Sequence, residues 1–269
     1  MHLKLAAYSL QLFEIIIIGK FKIMPFTPAH TALVLPFIRK RYLSATGLVA
    51  GSVAPDFEYF FKMSTNGVHG HTILGLFYFD VPVVILLAVT FHLVVKQNFI
   101  HHLPSFFQVR FQDTLQLDFM QYLRQNPWVF IFSALAGSAS HLFWDSFTHG
   151  DGYFASTLWF YQGAIIPFNG ARYPLFYFLQ HLSTVIGLFI LFVYIIRIKP
   201  VVVEKANGAF LLYWFTFVII SVAVVAIRFT WHPADMKIGN FVVSVISAIC
   251  LALIICGLLP FRSGFSKAK

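Results

Sequence analysis

The pattern with the clearest chemistry is a repeat of His, Asp and His at four-residue intervals, formed by His141, Asp145 and His149. On an α-helix, residues four apart lie along one stripe, so His141 and Asp145 can bind one ion from a single helix. His149 would lie about 12 Å from His141 on a continuous helix, and it would serve a second ion or turn back if the helix ends at Gly150. Ionisable groups beside apolar segments are costly without a partner or a function, which favours a metal site over side chains that only cap the helix.

The ligand types narrow the choice of ion. Imidazole and carboxylate without thiolate indicate a divalent metal, with Zn expected first and Mn or Fe as alternatives. We expect one or two ions, and two ions a few ångströms apart would suit a phosphate ester. The two cysteines, Cys250 and Cys256, lie in an apolar segment and match no metal-ligand or redox spacing. The sequence has no Gly-x-Ser-x-Gly elbow and no nucleotide-binding glycine loop, which argues against serine hydrolases and nucleotide-binding enzymes.

The composition places these residues in a membrane protein. Of 269 residues, 59% are hydrophobic and only 11% are charged, against roughly a quarter charged in soluble domains. Lipid is the solvent that accommodates so much apolar surface. The net charge of +9 would indicate nucleic-acid binding in a soluble protein, but here the basic residues mostly flank apolar segments, as headgroup contacts do. We therefore expect membrane lipids as partners and no nucleic acid, and the oligomeric state is left open.

Five apolar segments are candidates to cross a bilayer, which takes about 20 residues. They cover residues 73–95, 128–147, 182–196, 209–227 and 241–259. The sequence therefore predicts an all-α fold, a polytopic membrane helical bundle with about five transmembrane helices and a range of four to six. Residues 31–61 form two weaker apolar segments, which we interpret as interfacial or re-entrant helices, or as one further span.

The spans would bring further histidines and aspartates to the same place. If the five spans alternate in direction, one membrane face holds the start of the first span, the end of the second and the start of the third. The connection between the last two spans lies on the same face. The polar side chains at these positions are His71, His141, Asp145, His149, His181, His232 and Asp235. His30 and Asp56 join them if the N-terminal segments do not cross the bilayer.

Asp80 needs a separate explanation. It lies nine positions after His71, on the opposite face of a straight helix. We expect it to pair inside the bundle, with Arg197 or Arg228 as candidate partners, or to belong to a kink at Pro82.

The distribution of basic residues gives an orientation. The loops 96–127 and 197–208 and the C-terminal tail carry nine Lys and Arg residues, whereas the loops 148–180 and 228–240 carry three. The positive-inside rule therefore places the metal site on the non-cytoplasmic face. Four basic residues at positions 39–41 and 62 oppose this orientation.

Four motifs carry a resemblance to a known family, namely Met24–His30 (MPFTPAH), Gly51–Tyr59 (GSVAPDFEY), Gly70–Thr72 (GHT) and Gly137–His149 (GSASHLFWDSFTH). In this order they resemble a family of uncharacterised prokaryotic membrane proteins, defined as a domain of unknown function, which open with Met-Pro-Phe-Thr. The resemblance covers about residues 24–195 and implies that translation starts at Met24.

The resemblance also divides the chain. Residues 1–23 contain an apolar stretch interrupted by Glu14 and lack a small-residue cleavage site, so they make a poor signal peptide. We interpret them as an N-terminal extension ahead of the native start, or as a short interfacial helix. Residues 24–269 form a single membrane domain. Its family-like part, 24–195, holds the metal site, and 196–269 adds two further transmembrane helices.

The motif order is also similar to the YdjM-type inner-membrane metal-dependent hydrolases, which implies the bacterial inner membrane, and more distantly to zinc-dependent phospholipase C and P1 nuclease. The metal ligands that this resemblance implies are His30, Asp56, His71, His141, Asp145, His149 and His181. The phospholipase pattern ends in His-x-x-x-Glu, whereas the residue four positions after His181 is Val185. Further polar candidates are Glu58, Asp80, His232 and Asp235.

Three functions fit these features. The first is a membrane-embedded metal-dependent hydrolase that acts on a phosphoester or lipid-like substrate. The second is a transporter or metal-handling membrane protein with the same residues and a deeper path through Asp80 and His92. The third is a membrane scaffold with a structural metal. A transporter needs polar groups spaced through the bilayer, and the last three apolar segments have no charge in their centres, which favours an interfacial site.

Overall fold

The computed structural model describes residues 26–168, 171–201 and 209–261. The expected N-terminal extension 1–23, the expected start at Met24 and the C-terminal residues 262–269 lie outside the described residues.

The described chain is almost entirely helical. Its α-helices are α1 (Thr31–Val34), α2 (Ala45–Gly51), α3 (Phe57–Lys62), α4 (Val81–Thr90), α5 (Lys96–His101), α6 (Ser105–Phe111), α7 (Phe119–Gln125), α8 (Pro127–Thr148), α9 (Tyr153–Thr157), α10 (Leu175–Ile196), α11 (Phe210–Trp231) and α12 (Ile238–Leu258). Short 3-10 turns lie at Thr27–His30, Leu35–Phe37, Ala54–Asp56, Gln112–Gln116, Trp159–Tyr161 and Pro233–Asp235. Two antiparallel strands, β1 (Ile165–Phe168) and β2 (Ala171–Pro174), pair with Ile165 opposite Pro174.

Four helices of the described chain are long and apolar enough to cross a membrane, namely Leu76–His101, α10, α11 and α12. This confirms the predicted all-α membrane bundle, and four lies within the expected range. The second expected span corresponds to α8, which has 22 residues. That helix is equally long but more polar, because serines, His141 and Asp145 interrupt its apolar sequence.

The first span is a continuous helix with two irregular turns. π-Helical turns at Leu76–Asp80 and Phe91–Val95 flank α4, and Pro82 stands in the first turn of α4. A π-turn widens the helix and often occurs at a functional position. The π-turn that ends at Asp80 lies directly before Pro82, where the sequence predicted a kink.

The N-terminal segments are too short to cross the bilayer. The seven residues of α2 extend about 10 Å, against a hydrocarbon core of about 30 Å. The turn Thr27–His30 packs against α10, where Gly187 approaches Ala29 so closely that a Cβ on the glycine would overlap the Ala29 backbone. This contact fixes His30 beside the bundle.

The closest helix contact joins α2 to α8. A Cβ at Gly137 would overlap the carbonyl oxygen of Leu48, and a Cβ at Gly51 would overlap the carbonyl oxygen of Ala134. Small residues allow helix backbones to approach in this way. The contact brings the C-terminal end of α2, and the turn Ala54–Asp56 that follows it, against the second half of α8.

Candidate metal centre

Six polar side chains from separate parts of the chain converge at one end of the bundle. They are His30, Asp56, His71, His141, Asp145 and His149. Two of them end 3-10 turns, one stands in the loop before the first span, and two lie one helical turn apart on α8. The last follows α8 directly. Six of the seven ligands expected from the sequence therefore lie together.

A first ligand set consists of Asp56, His71, His141 and Asp145. His71 Nε2 lies 3.3 Å from Asp56 Oδ1 and 3.3 Å from Asp145 Oδ2. His141 Nε2 lies 3.6 Å and 3.2 Å from the same two oxygens. Four ligand atoms placed 2.0–2.1 Å from a tetrahedral zinc ion are separated by about 3.3 Å. The four observed distances are close to that separation, and the ligand atoms of Asp56, His71 and His141 all lie within 4.8 Å of one another, so this set could hold a metal ion.

The other oxygen of Asp145 belongs to a second set. Asp145 Oδ1 lies 3.5 Å from His30 Nε2 and 3.5 Å from His149 Nδ1. His149 reaches this position because α8 ends at Thr148 and the backbone of His149 is extended, with φ −115° and ψ 145°. The two oxygens of Asp145 thus face two different pairs of imidazoles. The ligand atoms of His30, His141 and Asp145 lie within 4.8 Å of one another and form a second group that could hold a metal ion.

Neighbouring groups orient three of the six side chains. The Nδ1 atom of His141 is 2.8 Å from the Ser52 carbonyl oxygen, so Nδ1–H donates and Nε2 is left as the metal-binding atom. The Thr27 hydroxyl donates to Asp56 Oδ2 at 2.5 Å. The Tyr59 hydroxyl lies 3.3 Å from His71 Nδ1. Such second contacts to metal ligands fix the tautomer and the direction of each ring or carboxylate.

The centre is buried on one side and open on the other. His141 and His30 are 0% and 1% exposed, and their rings stack with centroids 3.9 Å apart. The buried atoms His30 Nδ1, His30 Nε2, His141 Nε2 and Asp145 Oδ1 have no hydrogen-bond partner. Buried polar atoms without partners are rare, and ligation by an ion would satisfy three of these four. The side chains of His71 and His149 are 27% and 29% exposed and line the open side.

The electrostatics of the centre favour a cation. Burial, together with the neighbouring His141, lowers the pKa of His30 to about 3, which keeps this imidazole neutral. Burial alone would raise the pKa of Asp56, but His141 and His71 hold it well below its ordinary value. Burial would lower the pKa of His71, yet Asp145 and Asp56 raise it to about 9. The two carboxylates therefore attract positive charge to this point.

Glu58 lies near the centre but has a structural role. Its carboxylate, which is 2% exposed, accepts hydrogen bonds from the backbone N–H groups of Val68, His69 and Gly70 at 2.7–2.9 Å. Lys62 Nζ lies 2.6 Å from the same carboxylate. Glu58 thus anchors the loop that carries His71, because both of its oxygens already accept hydrogen bonds.

Three other expected candidates lie apart from the centre. His181 is exposed on α10, where its ring packs against Tyr177. His232 is also exposed, and Asp235 pairs with Arg228 at 2.7 Å. The expected pairing of Asp80 with Arg228 is therefore wrong, because that arginine binds Asp235.

Asp80 itself is fully buried, and neither of its oxygens has a hydrogen-bond partner. No ion pair of Asp80 with Arg197 is formed among the described residues. It lies at the end of the π-turn Leu76–Asp80.

The groups that orient the ligands do not belong to the predicted ligand set. Thr27 and Tyr59 stand inside the family-like motifs, three positions from His30 and Asp56 respectively, and that proximity was the available signal. The acceptor for His141 is the backbone carbonyl of Ser52, which no side-chain pattern can reveal.

The chain has no match among curated proteins, and none among solved structures. Residues 24–258 match the family described as Domain of unknown function (DUF4184). This match covers most of the chain, and the motifs that form the metal centre lie within it. The chain therefore belongs to the DUF4184 family of domains of unknown function.

Proposed function

We propose that this protein is a membrane-embedded metal-dependent hydrolase of phosphoester or lipid-like substrates. The observation that carries the proposal is the convergence of four imidazoles and two carboxylates on a point with one open side, at the ends of apolar helices. The similarity of the motif order to YdjM-type hydrolases supports the same conclusion. A bacterial inner membrane, with the centre on the non-cytoplasmic face, belongs to this proposal.

The centre would hold two ions, with zinc as the expected metal. Asp56, His71, His141 and one oxygen of Asp145 would bind the first. His30, His149 and the other oxygen of Asp145 would bind the second. Four protein ligands would fill a tetrahedral first site, whereas three would leave a position open at the second. When bound, such ions supply Lewis-acid activation of water and of a phosphoryl or carbonyl oxygen.

The chain's own residues would position this chemistry. Ser52 and Thr27 hold His141 and Asp56 in fixed orientations, so the closed site would be rigid. His71 and His149 line the open side, and a substrate would approach between them. Glu58 keeps the loop of His71 in place through three backbone hydrogen bonds.

A metal-handling or transport function is the second candidate, and Asp80 favours it. Asp80 is a buried carboxylate without a hydrogen-bond partner in the first span, and intramembrane carboxylates often mark an ion pathway. A path through the bilayer would need Asp80, whereas a hydrolase at the open side would not. Metal uptake into proteoliposomes that is lost in Asp80→Asn, with no hydrolysis by the wild type, would favour transport.

The test of the proposal is hydrolysis by purified protein. Wild type loaded with zinc should hydrolyse a generic phosphodiester or ester in detergent, and Asp145→Asn should lose at least about a hundredfold in rate, as expected when both ions are weakened. Asp235→Asn is the matched control, because Asp235 is a carboxylate outside the centre, and it should keep wild-type activity.

Two results would contradict the hydrolase. One is an Asp145→Asn variant that is as active as wild type. The other is an inactive, zinc-loaded wild type whose melting temperature falls sharply when the metal is removed, since that behaviour belongs to a scaffold with a structural metal.

A further inference from the structure

An apolar groove runs beside the metal centre, between α8 and α10. Its volume is about 290 Å³, close to the lower end of the range for small-molecule sites. Its walls are formed by Phe143, Trp144, Phe147 and Thr148 from α8, and by α10 residues such as Leu182 and Ile186. Almost all of the lining surface is apolar. A helix with side chains is about 10–12 Å wide, so the groove suits a flexible chain better than a second helix.

The groove and the metal centre lie on adjacent faces of one helix. Trp144 directly precedes Asp145, and Thr148 directly precedes His149. Successive residues on an α-helix point about 100° apart. The Trp144 ring lies edge-on to His30 with centroids 5.9 Å apart, and its Nε1–H donates to Ser183 Oγ at 3.2 Å. Trp144 is therefore held in place by Ser183, lines the groove and contacts the candidate metal ligand His30.

The open side of the groove is lined by exposed apolar side chains. Phe143, Leu182 and Ile186 are 54%, 41% and 46% exposed, although all three are large and apolar. α10 is one of the four candidate spans, and most of its residues are not covered by the rest of the protein. The surroundings of such a helix are lipid acyl chains. The groove thus opens on the exposed apolar surface of a candidate span, and Trp144 in its wall contacts the candidate ligand His30.

We propose that the groove binds an acyl chain of a membrane lipid whose ester or phosphoester group reaches the metal centre. The inference rests on the proposed hydrolase function and specifies its substrate as a long-chain lipid that enters from the bilayer. A lipid has both parts that the two neighbouring surfaces require. Its chain suits the apolar walls, and its ester or phosphate oxygens suit the ions that the ligand cluster would hold.

The activity test uses two lipid-facing positions on α10. Ile186→Trp would fill the groove, whereas Val185→Trp adds the same ring at a neighbouring position that is 66% exposed and outside the groove. Each variant would be assayed with long-chain and short-chain substrates that share one head group. Ile186→Trp should lower kcat/KM for the long-chain substrate at least about tenfold, which corresponds to the lost burial of two or more methylene groups. It should leave the short-chain substrate unchanged, and Val185→Trp should change neither.

A second readout does not depend on catalysis. The full chain would be placed in nanodiscs of phosphatidylethanolamine and phosphatidylglycerol, with a phosphatidylglycerol that carries a diazirine near the end of one acyl chain. Photolysis should label Phe143, Phe147 or Leu182 above the remaining lipid-facing surface. Ile186→Trp should abolish this labelling, and Val185→Trp should retain it.

The outcomes distinguish a failure of the lipid-site proposal from a failure of the hydrolase proposal. Groove labelling without any hydrolysis would support the lipid site and overturn the hydrolase. Hydrolysis that is independent of chain length, with no enriched labelling, would overturn the lipid site and leave the hydrolase. An Ile186→Trp variant that lowers activity equally on both substrates would also overturn the lipid site.

Discussion

Asp145 is the residue on which the proposed centre depends most. Its two oxygens lie 3.2–3.5 Å from one nitrogen of each of four imidazoles, those of His30, His71, His141 and His149. No other carboxylate among the described residues faces more than two histidines. Burial of an anion is unfavourable unless positive charge compensates it, and the four imidazoles can supply this only with protons or metal ions. Asp145 therefore connects the two ligand sets.

The sequence predicted the ligands within α8 but not their full surroundings. The interval between His141 and Asp145 follows from helical periodicity, and His71 follows from the alternation of spans. His149 points back toward Asp145 only because α8 ends at Thr148, and the sequence did not determine that helix end. The orienting carbonyl of Ser52 could not be predicted, because it depends on how closely α2 approaches α8.

Glu58 yields a prediction about stability. Glu58→Gln should lower the free energy of unfolding by about 1–3 kcal/mol, because a charged acceptor of backbone N–H groups is lost. Burial would raise the pKa of Glu58, but Lys62 and the N–H groups of Gly70, Val68 and His69 lower it to about 2 from an ordinary 4.5. A depressed pKa stabilises the fold above the unfolded-state value and loses this effect as pH falls.

The difference between wild type and Glu58→Gln should therefore be full at neutral pH and shrink between pH 4.5 and about 2. Thermal unfolding in detergent across this range measures it. Asp113→Asn, at an exposed carboxylate, is the control and should show little difference. Equal unfolding of Glu58→Gln and wild type at neutral pH would show that Glu58 does not anchor the loop.

At the scale of elements, the contact between α2 and α8 positions the centre. Gly51 and Gly137 allow the two backbones to meet, and the Ser52 carbonyl and Asp56 then lie beside His141. The sequence predicted that α8 would carry ligands, and the family-like motifs pointed to the segment around Gly51. It did not predict how each helix is rotated. For this reason His181, expected at the start of a span, lies inside α10, which begins at Leu175, and is exposed on its outer surface.

A valine at Gly137 should separate these two helices. Its Cβ would overlap the carbonyl oxygen of Leu48, and overpacking of this kind costs about 1–3 kcal/mol. We expect Gly137→Val to lower both the melting temperature and the bound zinc. Ala136→Val adds bulk on an exposed side of the same helix and should leave both unchanged. Normal zinc content in Gly137→Val would show that the close contact does not position the ligands.

At the scale of the whole molecule, the amino-acid composition predicted the fold class correctly. The excess of apolar residues predicted a helical membrane protein, and four described helices meet the requirements for a span. The polar residues of α8 explain why the second expected span is less apolar than the other four. Its neighbours within the chain bury much of its polar face, including His141 and Asp145.

Orientation is testable by cysteine labelling in intact cells. The charge distribution predicts that the loop after α8 lies outside and the loop before α7 lies in the cytoplasm. A membrane-impermeant maleimide should label Asp151→Cys in intact cells, and Gln116→Cys only after lysis, since both positions are exposed. The opposite pattern would place the metal centre on the cytoplasmic face.

The metal content of the purified protein tests the central claim most directly. After zinc loading and removal of free ion, elemental analysis of wild type should give about two equivalents per chain, one for each ligand set that Asp145 bridges. His149→Ala should keep about one, because it removes a ligand only from the open set, and Asp145→Asn should keep less than one. Asp235→Asn should match wild type. A wild type that binds no more metal than Asp145→Asn under any loading condition would contradict the account.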